Sequence, residues 1–395
     1  MNEIGIIGLG NCGGQIAFTA ESKYPELFKC MYMNTSKDDL NKIGGNSLKF
    51  KIGDSDNEAD DIVEGTGRNR KLMRNYLKKY LGPILGNDDF TSFFMGKNYV
   101  FIIASAAGGT GSGSCTPLME ILQEYFPNIH FILVTTLPPL TSSSREQKNA
   151  MALLKDIYTK MSTEITYMVY DNGSITGRSP NETFGEINDQ IIEDLRILTG
   201  IDNHKSKFDS IDETDLKVIL TTPGRLLISR LSEVTEKKME DSTLDESILK
   251  AIKKSCHTET NRDRKVLRWG IITHLTKEAD SLYVNEFPKL EGFLGTPIER
   301  FNHHAINNMD DEKLNFVHFI ASGLSPINDR SDKIATRIHE LTEAAKSNKA
   351  ASFKYADDSD DRVDTDDDQL PKSLDGSPTA SNDKFNPSEI LKKFM

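Results

Sequence analysis

Between the apolar run Tyr99-Val-Phe-Ile-Ile-Ala104 and the segment Pro117-Leu-Met-Glu-Ile-Leu-Gln-Glu124 lies Ala106-Ala107-Gly108-Gly109-Thr110-Gly111-Ser112-Gly113-Ser114. The order reads as a strand, a turn and then a helix beginning near Pro117. Four of the six residues 108–113 are glycine, so the backbone can turn sharply and aim several N–H groups in one direction. Such a turn at a helix N-terminus is an anion cradle suited to phosphate. Thr110, Ser112 and Ser114 add hydroxyl donors. A flexible Gly/Ser linker has no reason to be wedged between a buried strand and a helix.

A second glycine loop opens the chain. The short strand Ile4-Gly5-Ile6-Ile7 leads through Gly8-Leu9-Gly10-Asn11-Cys12-Gly13-Gly14 into a helix. By itself Gly8-x-Gly10-x-x-Gly13 suggests a dinucleotide fold and an NAD-linked oxidoreductase. That fold wants an acidic residue about 20 positions on, at the end of the second strand. Here Cys30-Met-Tyr-Met33 ends in Asn34-Thr35-Ser36. A dinucleotide enzyme also has no use for a second, richer phosphate loop. Two loops suit one nucleoside triphosphate better.

These residues resemble the tubulin and FtsZ superfamily of GTPases, whose signature loop matches Gly108-Gly109-Thr110-Gly111-Ser112-Gly113. The resemblance covers roughly residues 1 to 345, and within the superfamily it is closest to the TubZ group of plasmid and phage tubulin homologues. It implies an α/β fold: a Rossmann-like GTPase domain joined by a central helix to a smaller α+β C-terminal domain. Gly10, Asn11, Cys12 and Gly13 match the first phosphate loop, and Asn34-Thr35 the Asn-Thr after the second strand. Glu64-Gly65-Thr66-Gly67-Arg68 falls where the family senses the γ-phosphate. Leu137-Pro138-Pro139-Leu140 with Arg145 resembles the ribose-side loop. Asn172, after Tyr170-Asp171, and Asn188, on the central helix, fall at the family's guanine contacts. Ser210-Ile-Asp212-Glu-Thr-Asp215 resembles the acidic loop that caps a neighbour's nucleotide. Ser210 departs from the family's Asn, and Thr141 stands where FtsZ proteins have Glu. Expected ligands are GTP or GDP with Mg²⁺, without direct protein ligands to the metal assigned.

The resemblance divides the chain into a GTP-binding domain (1–183), the central helix and approach to the acidic loop (184–209), the C-terminal domain (210–325), a C-terminal helix (326–350) and an acidic tail (351–395). Further strands are expected at His130–Thr136, Ile165–Tyr170, Leu216–Thr221, Val266–Thr273 and Leu314–Ser322, alternating with helices in the first half as in a covered parallel sheet. A helix over Lys71–Leu81 carries Leu72, Tyr76, Leu77 and Tyr80 on one stripe, with Arg68 and Arg70 at its start facing phosphate oxygens. A last amphipathic helix carries Ile334, Ile338 and Leu341. Trp269 reads as core.

Composition fits a cytoplasmic body in a bacterial or phage-infected cell. No apolar run is long enough to span a membrane and the N-terminus does not read as a signal peptide. Cys12, Cys30, Cys115 and Cys256 lack metal spacing and read as reduced packing thiols. Of the net charge of −12, residues 357–368 supply −7 through eight Asp and one Arg, leaving −5 for the rest. That mild charge draws no nucleic acid directly. The segment from Ala351 reads as a disordered tail, and 386–395 as a short docking motif for an adaptor–DNA complex.

No Walker lysine is present, so a group to orient the attacking water is missing. The resemblance supplies it from the next subunit, with Asp212 and Asp215 reaching across a head-to-tail contact. A non-hydrolysing filament of the same fold is the remaining alternative.

Overall fold

The computed structural model describes residues 4–44, 48–53, 65–161, 164–200, 206, 210–241, 243–257, 266–308 and 314–352 of the 395-residue chain. Glu64 and everything beyond residue 352, including the acidic run and the 386–395 segment, lie outside the described residues.

The first half builds a parallel sheet from β1 (Ile4–Leu9), β2 (Phe28–Asn34), β3 (Leu48–Lys51), β4 (Tyr99–Ser105), β5 (His130–Leu137) and β6 (Thr166–Asp171). Their spatial order is β3-β2-β1-β4-β5-β6, so the chain reverses its direction of travel between β1 and β4. That is where ligands bind in open parallel sheets. Val100 to Ala104 of β4 are wholly buried, as expected of a strand covered on both faces. Alternate residues serve different cores. Ile102, Leu133 and Leu9 meet α3 (Arg70–Leu85), α5 (Thr110–Tyr125) and α6 (Ser144–Asp156) on one side. Ile103, Val134 and Ile6 meet α1 (Gly10–Lys23) and α7 (Pro180–Ile197) on the other.

The sheet then continues. β7 (Gly224–Ser232) pairs in parallel with the start of β6 at Thr166 and Tyr167. β10 (Phe316–Leu324), β8 (Arg268–Leu275) and β9 (Glu299–Ile306) follow outward, giving a ten-stranded sheet. Trp269 is core, its ring edge-on to Phe319 at 5.6 Å.

α7 starts at Ser179, whose capping box with Glu182 fixes its first turn, and buries Ile187, Ile191 and Leu195. It returns from the carboxyl end of β6 toward the amino end of the sheet. On the way its buried Asp194 accepts from the Tyr170 hydroxyl (2.8 Å) and sits 3.2 Å from both His257 Nε2 and Arg230 Nε. Burial, then the Asp194 charge, pushes the Tyr170 phenol pKa well up. This cluster fastens α7 to β6 and β7.

Several expectations need correction. Leu216–Thr221 is not a strand but the body of helix α8 (Glu213–Thr221). A short apolar run does not by itself separate strand from helix, and here Asp212 caps a helix start. α5 begins at Thr110, so two of the four signature glycines, Gly111 and Gly113, are helix rather than turn. α3 buries Met73, Leu77 and Leu81, one step round from the expected stripe. β3, β7 and β9 were not expected. The last helix, α13 (Asn328–Ser352), folds back to pack on α6, with Ile334 and Ile338 entering the first-half core.

Candidate functional site

The loops after β1, β2, β4, β5 and β6 all emerge at the carboxyl edge of the parallel sheet. Leu9 pairs with Ala104, which brings the starts of α1 and α5 side by side. A Cβ on Gly10 would lie 3.4 Å from the Gly111 nitrogen. Gly10 has φ +68°, which favours glycine. Gly13 lets α1 settle on β4, since a Cβ there would stand 2.0 Å from the Ile103 carbonyl oxygen. Neither helix has a side-chain cap. Their first-turn N–H groups and the positive ends of their dipoles therefore converge on one spot, a site for anionic oxygen. Nothing lies within 4 Å of where a Cβ would stand on Gly108, so the cradle is open there.

Side chains then tie the loops together. Thr35 Oγ1, at the end of β2, hydrogen-bonds Thr110 Oγ1 at 2.9 Å. Asn34 Oδ1 accepts from Thr35 N at 2.8 Å. Cys12 Sγ lies 3.8 Å from Thr136 Oγ1, and burial pushes its thiol pKa up. Cys115 is pushed up to about 12 by burial, so both remain inert packing thiols. Gly67 and Arg68 both have positive φ (54° and 64°) and form a tight turn against the signature segment. Gly109 must be glycine for this contact. A Cβ there would meet Thr66 Oγ1 at 2.2 Å and the Arg68 backbone at 2.7 Å. The Arg68 guanidinium pairs with Glu146 (3.4 Å), and Arg145 donates to the Gly67 carbonyl (3.2 Å).

Three hydroxyl or guanidinium groups do not face the cradle as expected. Ser112 donates to the Gly108 carbonyl and Ser114 to the Thr110 carbonyl (2.6 Å), as hydroxyls in helices do when buried. Arg70 points inward, bound to Asp156 at 2.6 Å and to the Ser112 carbonyl at 3.1 Å. Only the backbone of Ser112 is thus available to a ligand. Gly113 packs its backbone against α3, with Met73 Cβ 2.8 Å from its would-be Cβ.

Two residues escaped sequence reading. Asn149 Nδ2 donates to the carbonyls of Arg68 and Ala107, both at 3.0 Å, stapling the 65–69 turn to the signature segment. Arg330 of α13 donates to both oxygens of Asp171 (2.6 and 2.9 Å) and to the Pro138 carbonyl (2.7 Å). No local signal announces either, because each joins segments far apart in sequence. At this flank Asn172 N donates to the Leu137 carbonyl (3.1 Å), and its half-buried amide has no partner among the described residues. Asn188 is half-buried on α7, which packs against α1.

Asp212 and Asp215 are elsewhere. They form a reciprocal capping box: Asp212 Oδ1 accepts from Thr214 N (2.7 Å) and Asp215 N (2.9 Å), and Asp215 Oδ2 accepts from Asp212 N (3.2 Å). The neighbouring Glu213 charge reaches Tyr99, whose phenol pKa is raised first by burial and then by Glu213. Tyr99 is the first residue of β4, and the cradle follows its last. Thr166, the first residue of β6, donates to the Leu220 and Thr222 carbonyls at the far end of α8, so the helix that the acids cap packs at the amino edge of the sheet, away from the cradle.

Residues 3–178 match the Tubulin/FtsZ family, GTPase domain. The tubulin-like protein TubZ of Clostridium botulinum C phage is 30% identical over 173 residues, covering 43% of this chain and 45% of that protein, so the match spans under half of the relative's length. The crystal structure of Clostridium botulinum phage c-st TubZ superposes with a TM-score of 0.68 at 20% identity, covering 87% of this chain and 100% of that one. A GTPγS-form protofilament of Bacillus thuringiensis serovar israelensis TubZ gives 0.67 at 18% identity, covering 89% and 94%.

Proposed function

We propose, from the match of residues 3–178 to the Tubulin/FtsZ family GTPase domain, that the chain is a polymerising GTPase whose hydrolytic site is completed between molecules. The carrying observation is that the cradle lies at the carboxyl edge of the sheet while the helix capped by the acids packs at its amino edge. Two molecules stacked head to tail would bring one molecule's Asp212 and Asp215 onto the other's nucleotide. Such a contact is heterologous and repeats without closing, which yields filaments.

In this reading the triphosphate rests on the backbone N–H groups of residues 10–13 and 108–112, with Thr35 and Thr110 beside it, while the Gly113 N–H is taken by the Gly109 carbonyl. Arg68 and Arg145 flank the phosphates and ribose, and Asn172 and Asn188 read the guanine edge by donating and accepting through their amides. The reaction joins a water oxygen to the γ-phosphorus while the bond to the β–γ bridging oxygen breaks, releasing GDP and phosphate. The incoming carboxylates accept the water's hydrogens and hold it in line, which is most of what phosphoryl transfer asks of a protein.

No cluster of three or more His, Cys, Asp or Glu side chains suited to a metal occurs among the described residues. Mg²⁺ fits nonetheless, because it typically keeps waters and binds through phosphates with few protein oxygens. Thr35 and Thr110 are the hydroxyls that would hold it, and it would offset phosphate charge.

Asn34 closes β2, which leaves a dinucleotide reading without its acidic ribose ligand. The acidic tail suits a basic adaptor–DNA complex, which supports a role in moving plasmid or phage DNA. Pelleting with GTP, GDP and a slowly hydrolysed analogue tests the proposal. Sedimentation with the analogue but not GDP, and specific GTPase activity rising steeply with protein concentration, are expected. Full-speed hydrolysis by a dilute monomer would sink it.

A further inference from the structure

The capping box orients Asp212 and Asp215 relative to α8, since among the described residues Asp212 bonds within its own turn. Something else must fix that turn to the body of the protein. Ile211, the residue just before the cap, supplies two attachments. Its side chain is buried in the core, in a notch left by Gly270 of β8. A Cβ on Gly270 would lie 3.2 Å from Ile211 Cδ1 and 3.1 Å from Ile219 Cδ1. Its backbone N–H donates to His303 Nδ1 of β9 at 3.2 Å, inside the protein. Because Nδ1 accepts, the neutral imidazole carries its proton on Nε2.

His303 is itself held. It sits opposite Ile272 in the β8–β9 ladder, and Thr273 Oγ1 donates to its carbonyl (3.4 Å) while meeting His304 Nδ1 at 2.8 Å. The acidic turn therefore hangs from the outermost strand of the sheet.

We propose that His303 is a positioning residue for hydrolysis in the neighbouring molecule: its Nδ1 sets where the Asp212–Asp215 turn meets the next subunit's nucleotide. This rests on the trans-carboxylate reading above. Placement matters because a misplacement of about 1 Å can cost on the order of 100-fold in rate.

The test uses the full chain with His303→Asn, His303→Gln and His303→Leu. The Asn side chain can present its oxygen where Nδ1 stood, Gln presents its amide one bond further out, and Leu offers no acceptor. Turnover per polymerised subunit is measured alongside monomer GTP affinity, melting temperature and the critical concentration with a slowly hydrolysed analogue. Turnover is expected to fall about tenfold or more in Leu and Gln and to stay within about threefold of the parent in Asn, with GTP affinity unchanged in all three.

A Leu polymer turning over at the parental rate overturns the proposal. So do Asn and Gln variants that are indistinguishable, including both failing to assemble. Should Leu not fold, the Asn–Gln pair decides alone. Asp215→Asn is run in parallel. If it hydrolyses normally, the trans-carboxylate reading fails. If it stops hydrolysis while His303→Leu does not, only the role of His303 fails.

Discussion

Helices α5 and α8 begin in opposite ways. At the start of α5 the capping position is Gly109, no side chain covers the first turn, and the N–H groups face outward beside those of α1. At the start of α8 the same position is Asp212, and two carboxylates satisfy the turn reciprocally. A missing side-chain cap costs about 1 kcal/mol, so a bare start is a place where backbone donors are kept for a ligand. A doubly capped start has its donors answered and presents charge instead. One helix start leaves its backbone donors open and the other presents acids, and the contrast is written in single residues.

The contrast is most easily broken at Gly109. Gly109→Val should weaken GTP binding by about 100-fold or more, because the new side chain drives Thr66 and Arg68 out of place. Calorimetry showing parental affinity would mean the 65–69 turn has no part in the site. Next in size is Asp212→Asn, which sharpens the acid end, since Asn caps about as well as Asp but carries no charge. Turnover within polymer should drop by about 100-fold, with little change in melting temperature. Parental turnover would reduce Asp212 to a cap. Asn172→Asp replaces an amide donor with a carboxylate and should weaken guanine binding about tenfold, read by competition between GTP and a labelled analogue. The smallest effect is expected for Asn149→Ala, a loss of roughly 1 kcal/mol in stability from carbonyls that lose their amide partner, measured by denaturant unfolding.

The cradle was readable because it is local. Continuous apolar runs such as Val100–Ala104 can hardly be anything but covered strands, and each glycine cluster directly joins such a strand to a helix, although the contacts that demand glycine at 10, 13 and 109 come from Gly111, Ile103 and the 66–68 turn, far off in sequence. The second half was harder. Leu216–Thr221 is too short for periodicity to choose a state, and the informative signal, an acid three residues after an acidic cap, was spent on a functional reading. β7 carries the buried Arg225 within its run, and β9 is broken by the consecutive polar residues Asn302, His303 and His304, so neither reads as apolar. Ser112, Ser114 and Arg70 turn away from the cradle for a different reason: residue type does not say whether a donor faces a ligand or the protein's own carbonyls and carboxylates. Asn149 and Arg330 act across 40 to 190 positions or so, where sequence spacing carries no physical meaning.

The clasp made by Arg330 has a consequence for biosynthesis. Its guanidinium binds both oxygens of Asp171 and the Pro138 carbonyl, holding the loops after β5 and β6 in register beside Asn172. A nascent chain halted before that arginine leaves the ribosome has its parallel strands but leaves this flank unlatched. On the proposed reading the base-recognition side is finished only when the closing helix has been translated, so nucleotide loading would belong to the mature molecule and not to the emerging N-terminal half.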